Sequence, residues 1–592
     1  MTPTIQHYAL SYPIAKAPGT LTYTNQASGV ALIRSPFVAT MTNPAVMPVP
    51  IKAFATYATL ENIIYVSGGI ILMRVAAWLY WPIRKLFSPL RHLQRPPNGS
   101  FLFGNLKQVF AAPSAVVHEG WIQEYGSTYA YRGFLSSYRL FTVDTRALTY
   151  VMSQPNSFPK PETVRRSLAD ILGEGLLFAE ADTHKRQRRI MNPSFGLLQI
   201  KELVPIFWQK SNKLKDIWLN QIKTSPEGTT VINVLPWLSR TTLDIIGAAG
   251  FDYHFNSLDG NDEDELSSAF NKATEGSQSF SALSFLRMTV PIFRLIPTKA
   301  SREVAASMAT MRRIGMKLIT NKKAALEHDY KTGSTLQGRD LLTLLIKSNM
   351  AYENESNKMD DEEVLGQIST FLAAGHDTTS TSTTWALYAL TKYPEVQHKL
   401  RQELLESSLG DEPNMADLDK LSYLDHFVRE CLRVYPPVPS TVREAAHDVH
   451  IPVSKSFKDR YGVEQTHITL NKGDAVFIPI LAMHHLKEIW GEDAMEFRPE
   501  RWDSLPEGAK DMPGVWGHLM TFIHGNRSCI GYRFALIEMK AILYTLVRAI
   551  EFEIDPIFEI IGKSSLVTRP QVASQPEKGN QLPLTCKAVT AI

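Results

Sequence analysis

The sequence predicts a mainly α fold with a small β region, built as one large domain behind an N-terminal membrane helix. Three observations carry this. Short β-rich pieces occur around Ser127 to Val143, such as Tyr-Ala-Tyr-Arg and Leu-Phe-Thr-Val. Long helical patterns then dominate up to about Val434, with mixed turns and short strands after it. From about Phe101 onward no second linker, repeat or low-complexity run breaks the chain. At 592 residues the chain is far longer than a usual domain of roughly 100–200 residues, which asks for several domains or one large fold with an appendage. Hydrophobic content of 44% and charged content of 20% suit a large core. A formal net charge of +3 is close to neutral at this length and excludes nucleic acid as a general partner. The only cysteines, Cys431, Cys529 and Cys586, show neither pairing nor zinc-type spacing, so the catalytic part is expected in a reducing compartment.

Residues 1–60 contain no Asp or Glu and show no clear period. A transit peptide would be acid-poor but also Arg-rich, and Arg34 is the only arginine there. The segment reads as a disordered extension or an overextended start, since Met41 and Met47 offer later ones; a targeting segment is the third reading. Residues 61–82 form the candidate membrane anchor. Ile63 to Trp81 is apolar for 19 residues, close to the ~20 that span a bilayer as a helix. Arg74 is its defect, costing about 2.5–3.5 kcal/mol near a helix centre, though off centre its stem can snorkel. Trp78, Tyr80 and Trp81 suggest an interfacial belt, and Arg84, Lys85, Arg91 and Arg95 follow. The positive-inside rule then places the C-terminal side in the cytoplasm. Residues 83–100 are a basic, proline-containing hinge, and 101–592 the main domain.

Within that domain, His184 and Arg188 are four apart in a densely basic run, Glu180 to Arg189, and so share a helix face. Alone they read as a solvated basic face. Asp361 to about Lys392 is a long helical segment with Gly375 and a Ser/Thr run, Thr378 to Thr384, in its interior. Such residues are poor helix formers, and a break of local rules often marks function. Thr378 can bond a carbonyl one turn back and open a groove. Glu430 and Arg433 are an i,i+3 ion pair on a helix that Pro436, Pro437 and Pro439 stop. Finally, Phe522-Ile-His-Gly525-Asn-Arg527-Ser-Cys529-Ile-Gly531 precedes a helical run, Tyr532 to Leu546. A cysteine at a helix N-terminus near an arginine is favoured as the thiolate, the metal-binding form. Gly525 and Gly531 allow a tight turn and close approach to a flat ligand. A thiolate is one of the few axial ligands a protein offers heme iron.

The pattern Phe-x-x-Gly-x-Arg-x-Cys-x-Gly resembles the heme loop of the cytochrome P-450 family of heme-thiolate monooxygenases, with a style similar to fungal membrane-bound members. Four motifs occur in that family's order across residues 96–592. The resemblance implies the P-450 fold, with heme b between the Thr378 helix and the Cys529 loop. Cys529 would be the axial iron ligand, with Phe522, Arg527 and Gly531 in the heme loop. His184 stands where the family has Trp, and with Arg188 it would meet the heme propionates, as would Arg443. Asp377 and Thr378 would deliver protons to dioxygen. Gly375 would let substrate or oxygen reach the backbone, and Phe371 and Leu372 would suit an apolar ligand. Pro439 to Thr441 and Lys563 to Leu566 match substrate-contact turns. Glu430, Arg433 and Arg501 would form a buried structural cluster. Lys185, Arg186 and Arg189 would lie exposed, steering an acidic electron donor.

The implied activity is insertion of one oxygen atom from dioxygen into a lipophilic substrate. Electrons would come from NADPH through a separate cytochrome P-450 reductase, with cytochrome b5 a second candidate donor. The expected site is the endoplasmic reticulum membrane, single-pass, with a cytoplasmic catalytic domain. Fungal style implies secondary-metabolite (terpenoid) tailoring or oxidation of foreign polycyclic aromatics. A fatty-acid hydroxylase, a heme-thiolate isomerase or peroxide-cleaving enzyme, and a heme sensor are the alternatives.

Overall fold

The computed structural model describes residues 87–260, 264–277, 296–332, 338–564 and 566–589, with 65, 68, 69, 72, 73 and 293 besides. Contacts divide the chain into Met1–Ala76 and Ala77–Ile592, and the fold described below belongs to the second unit. The expected N-terminal extension lies outside the described residues. So does the anchor stretch, save Tyr65, Gly68, Gly69, Leu72 and Met73, which are helical. Among the described residues no helix is long and apolar enough to cross a membrane.

The second unit is mainly α. Its principal helices are α1 (Ala181–Met191), α2 (Leu197–Thr224), α3 (Val234–Phe251), α4 (Lys299–Thr332), α5 (Asp361–Lys392), α6 (Ser422–Val434) and α7 (Tyr532–Ala549). Helix α5 is buried nearly all round, as expected of a helix crossing the middle of a large domain. Its start is fixed by a capping box. Asp360 accepts from the Glu363 N–H at 2.8 Å, and the Glu363 carboxylate accepts from the Asp360 N–H at 3.3 Å. Pro394 stops it one residue past Tyr393. The Ser/Thr run survives inside the helix because most of its hydroxyls bond a carbonyl one turn back. Thr378, Ser382, Thr383 and Thr384 donate to Ala374, Thr378, Thr379 and Ser380 at 2.7–2.9 Å.

The β structure is small and peripheral. Strands β1 (Thr128–Arg132), β2 (Tyr138–Thr142), β3 (Thr441–Glu444) and β4 (Ala475–Ile478) form one sheet in the order β1-β2-β4-β3. Only β2 and β4 run parallel. Strands β5 (Ile560–Ser564) and β6 (Thr568–Val572) form an antiparallel hairpin. It is fastened to α5, because the Trp385 indole N–H donates to the Thr568 carbonyl at 2.7 Å.

The Glu430 cluster pins the segment following β4 to α6. Glu430, Arg433 and Arg501 are at most 1% exposed. Glu430 accepts from Arg433 Nε and Nη2 at 2.9 and 2.8 Å, from the Trp502 indole at 3.0 Å and from the Arg498 N–H at 2.9 Å. Arg501 Nε approaches it at 3.4 Å. The remaining guanidinium N–H groups bind carbonyls of His484, Ala494, Trp490 and Asp493 at 2.6–3.0 Å, so the ions are fully solvated by protein.

Candidate active site

The cysteine loop winds through two 3-10 turns, Met520–Phe522 and Gly525–Arg527, before α7. The Cys529 N–H donates to the Phe522 carbonyl at 2.9 Å, closing the loop on itself. Phe522 packs edge-on against Trp516 and tilts over Tyr532, which holds the loop's start against its end. Gly525 has φ +75°, and a Cβ there would stand 2.7 Å from the Met152 carbonyl oxygen, so the turn requires glycine. Gly531 differs: its φ is −93°, and a Cβ would meet the Phe195 ring at an ordinary 3.6 Å. The polypeptide alone does not demand glycine there.

Cys529 is exposed, yet protein surrounds it densely enough to desolvate its thiol. Burial pushes the thiol up, while the Gly531 N–H and the Arg188 guanidinium pull it down. The loop alone suggests a favoured thiolate; in the folded protein burial outweighs both stabilising groups.

Around the loop lies a set of buried and half-buried cations. Arg188, on α1, donates to the Ser528 carbonyl beside Cys529. Arg527 donates to the Phe158 carbonyl at 3.0 Å and pairs with Glu180, which also holds Lys160 at 2.9 Å. Arg443, on β3, is 5% exposed and donates to Thr441 Oγ1 at 3.0 Å and the Val442 carbonyl at 2.8 Å. Burial lowers Arg443 and Arg527 to about 10. Lys160 falls to about 7 through burial and then Arg527, Arg443 and Arg165. His184 falls to about 4 through burial and then Lys160 and Arg188, so its imidazole is neutral; it has no hydrogen bond among the described residues. Of these four cations only Arg527 and Lys160 pair with a carboxylate, Glu180. Sequence reasoning found His184, Arg188, Arg443 and Arg527. It missed Lys160 and Glu180, which carry no motif and sit near them only through folding.

Helix α5 faces the same interior. Phe195 lies against Gly531 and packs edge-on against Phe371 of α5 at 5.5 Å, linking loop and helix. Ala374 is exposed and Thr378 half-buried, one turn apart. Thr378 Oγ1 donates to the Ala374 carbonyl at 2.7 Å, which leaves its lone pairs to accept a proton. Asp377 is held by Arg569 of β6, whose Nη2 reaches both carboxylate oxygens at 2.6 and 2.5 Å. Arg569 was not singled out by sequence; it lies 192 residues away.

Four expectations are corrected. Gly375 faces α3, where a Cβ would lie 2.9 Å from Ile246 Cδ1, so it serves helix packing. Leu372 is 1% exposed and belongs to the core. Phe371 is 5% exposed, packed between Phe195 and Phe251. Arg186 is drawn inward by Glu363 at the α5 N-terminus, leaving Lys185 and Arg189 as the exposed cations of that run. His376 is buried against α3, its Nε2 2.7 Å from Ser239 Oγ. Glu538 of α7, unremarked in the sequence, is fully buried beside Thr379, and burial pushes its carboxyl well above the usual range.

A sequence profile of cytochrome P-450 matches residues 95–580. Cytochrome P-450 monooxygenase 205 of Postia placenta is 49% identical over 539 residues, 89% of this chain and 98% of its own. Cytochrome P-450 monooxygenase claO of Ampulloclitocybe clavipes is 36% identical over 86% of this chain and 96% of its own. A ganoderic acid synthetase of Ganoderma lucidum is 32% identical over 86% and 98%. With Arg188 bonded beside Cys529 and Phe195 joining the cysteine loop to the Thr-rich helix α5, the chain belongs to the cytochrome P-450 family of heme b monooxygenases.

Proposed function

We propose that Cys529 would supply the thiolate that holds heme b and that the protein oxidises a lipophilic secondary metabolite, a terpenoid being the first candidate. The observation that carries this is the excess of buried cations beside Cys529. Burial first, and then Arg527, Arg443 and Arg165, depress Lys160 to about 7 despite its pair with Glu180, and the two propionates of heme b would offset those neighbouring charges. Arg188, Arg443 and Arg527 would bind those carboxylates by charge-assisted bonds, with His184 donating from its neutral ring. The Gly531 N–H and Arg188 would hold negative charge on Cys529 Sγ.

When bound, heme b supplies the iron at which dioxygen is activated and one oxygen atom passes to substrate. On the opposite wall, Thr378 Oγ1 would hold a proton and Asp377 would renew it, once its carboxylate leaves Arg569. The relative named ganoderic acid synthetase supports biosynthetic tailoring over oxidation of foreign polycyclic aromatics or fatty-acid hydroxylation. Electrons would come from NADPH through a separate reductase, with cytochrome b5 as a second donor. Endoplasmic reticulum anchoring through residues 61–82 agrees with a substrate that partitions into membranes.

The test is co-expression with a reductase and a screen of lipophilic compounds, after a carbon monoxide difference spectrum for thiolate ligation. Thr378→Ala is expected to keep that spectrum and to uncouple NADPH use from product. Unchanged coupling would remove Thr378 from proton delivery and favour isomerase or peroxide-cleaving chemistry. Loss of the thiolate spectrum in Cys529→Ser is required; its persistence would refute the ligand assignment.

A further inference from the structure

Away from Cys529, a cavity of ≈ 510 Å³ opens where the hinge joins the main domain, lined by Gln94, Arg95, Pro96, Asn98, Arg132 and Arg460 among others. Three arginines line it, and none pairs with a carboxylate among the described residues. Two are held in place by one ring. Arg132 stacks on Tyr138 with its guanidinium carbon 3.7 Å from the centroid, and donates to the Tyr138 hydroxyl at 2.7 Å. Arg95 donates to the same hydroxyl at 2.5 Å. Arg132 is lowered by burial, with Arg95 adding to the repulsion. The nearest acids are otherwise engaged. Asp459 accepts from the N–H groups of Tyr461 and Val463 and from Gln465 within its own turn. Glu124 accepts from the Tyr125 hydroxyl.

Fixed guanidiniums with no anion of their own match the fork geometry that binds phosphate oxygens two at a time. The volume exceeds what a bare phosphate needs and falls in the range of small-molecule sites. The surroundings are amphipathic. Ser136 clasps this stretch, accepting from Asn98 at 3.1 Å and donating to the Phe101 carbonyl at 2.9 Å. Phe87 and Phe101, either side of the lining residues in the chain, are exposed. In sequence, Arg84, Lys85 and Arg91 lead into the cavity from the apolar stretch, and such basic clusters attract anionic lipid head groups.

We propose that this cavity is a phosphate-binding site, taking the phosphate group of an anionic lipid head group or of a soluble phosphate ester. Arg95, Arg132 and Arg460 grip the oxygens, and the sugar or glycerol moiety fills the remaining space against Gln94 and Asn98.

The experiment uses the full-length, heme-loaded protein in neutral detergent, titrated by calorimetry with a short-chain phosphatidylinositol phosphate and, separately, with inorganic phosphate. Saturable binding is expected, weakened about tenfold or more by Arg132→Gln and by Arg460→Gln, and weakened by added salt. Inorganic phosphate binding as tightly as the lipid identifies a soluble ligand; binding at least about tenfold weaker identifies the head group. Arg132→Gln also removes a ring contact, so Arg460→Gln, at an exposed turn, is the decisive variant, with an unchanged carbon monoxide spectrum as the check on folding. Absence of saturable binding by both probes overturns the proposal, as does affinity that Arg460→Gln leaves unchanged.

Discussion

Glu430→Gln tests whether the cluster behind α6 works through charge. The substitution preserves shape and one acceptor oxygen, but turns an amide toward two guanidiniums. Arg501 keeps a second anion, Asp493, at 2.7 Å. Arg433 has none among the described residues: its other donors meet the carbonyls of His484, Ala494 and Glu496. The variant therefore leaves one fully buried guanidinium uncompensated, which costs about 3–5 kcal/mol. Against a typical stability of about 5–15 kcal/mol that is about a fifth or more of the total. The expected result is a large drop in the heme-to-protein ratio and a lower urea midpoint followed by tryptophan fluorescence. A second construction separates charge from contact. Glu430→Leu with Arg433→Leu removes both ions and should lie closer to the parent than Glu430→Leu alone, because an apolar pair needs no solvation. If Glu430→Gln keeps normal heme content and midpoint, or the double variant is worse than the single, the desolvation argument fails.

Two further outcomes follow from the site. Arg569→Gln frees the Asp377 carboxylate from its half-buried pair, and should diminish the solvent deuterium isotope effect on product formation if Asp377 carries protons; an unaltered isotope effect removes Asp377 from the relay. In the heme-free protein Lys160 titrates near 7 against 10.5 for the ordinary group. Its folded value is depressed, so the unfolded chain binds more protons between those limits and stability rises with pH across them, at up to about 1.4 kcal/mol per pH unit. Thermal midpoints of parent and Lys160→Met, compared at pH 7 and 9, should show a shallower rise in the variant; parallel curves would contradict the depressed value.

How far the sequence reaches depends on whether a residue's partner is local. The limits of α5 could be read directly, because an acidic cap and Pro394 act within a turn of the ends they set. Glu430 and Arg433 are three apart, so their pairing is written in the helix repeat; Arg501 needed the family pattern. Gly525 is legible for the same reason, since a positive φ is a local demand. The misreadings all involve a partner far along the chain. Gly375 looks like an opening in a helix until Ile246 of α3 is placed against it, and Arg186 looks exposed until Glu363 draws it in. The Cys529 thiol looks activated by its neighbours, but desolvation is a property of the assembled interior.

The same distinction explains why the cation cluster, rather than the cysteine loop, carries the functional argument. The loop names a cysteine and an arginine, and each could serve structure alone. Glu180 shows what structure requires: one carboxylate takes Arg527 and Lys160 together, and that suffices to tie the α1 N-terminus to the loop. Arg188 and Arg443 are then surplus. Each bonds hydroxyls or carbonyls through part of its guanidinium, which solvates the charge without neutralising it. Burying two such charges and depressing Lys160 as well is unfavourable in the polypeptide by itself. A dianionic ligand bound beside Cys529, as proposed for heme b, would reverse that sign, so folding and ligand binding would draw on the same charges and the loaded site would be the more stable.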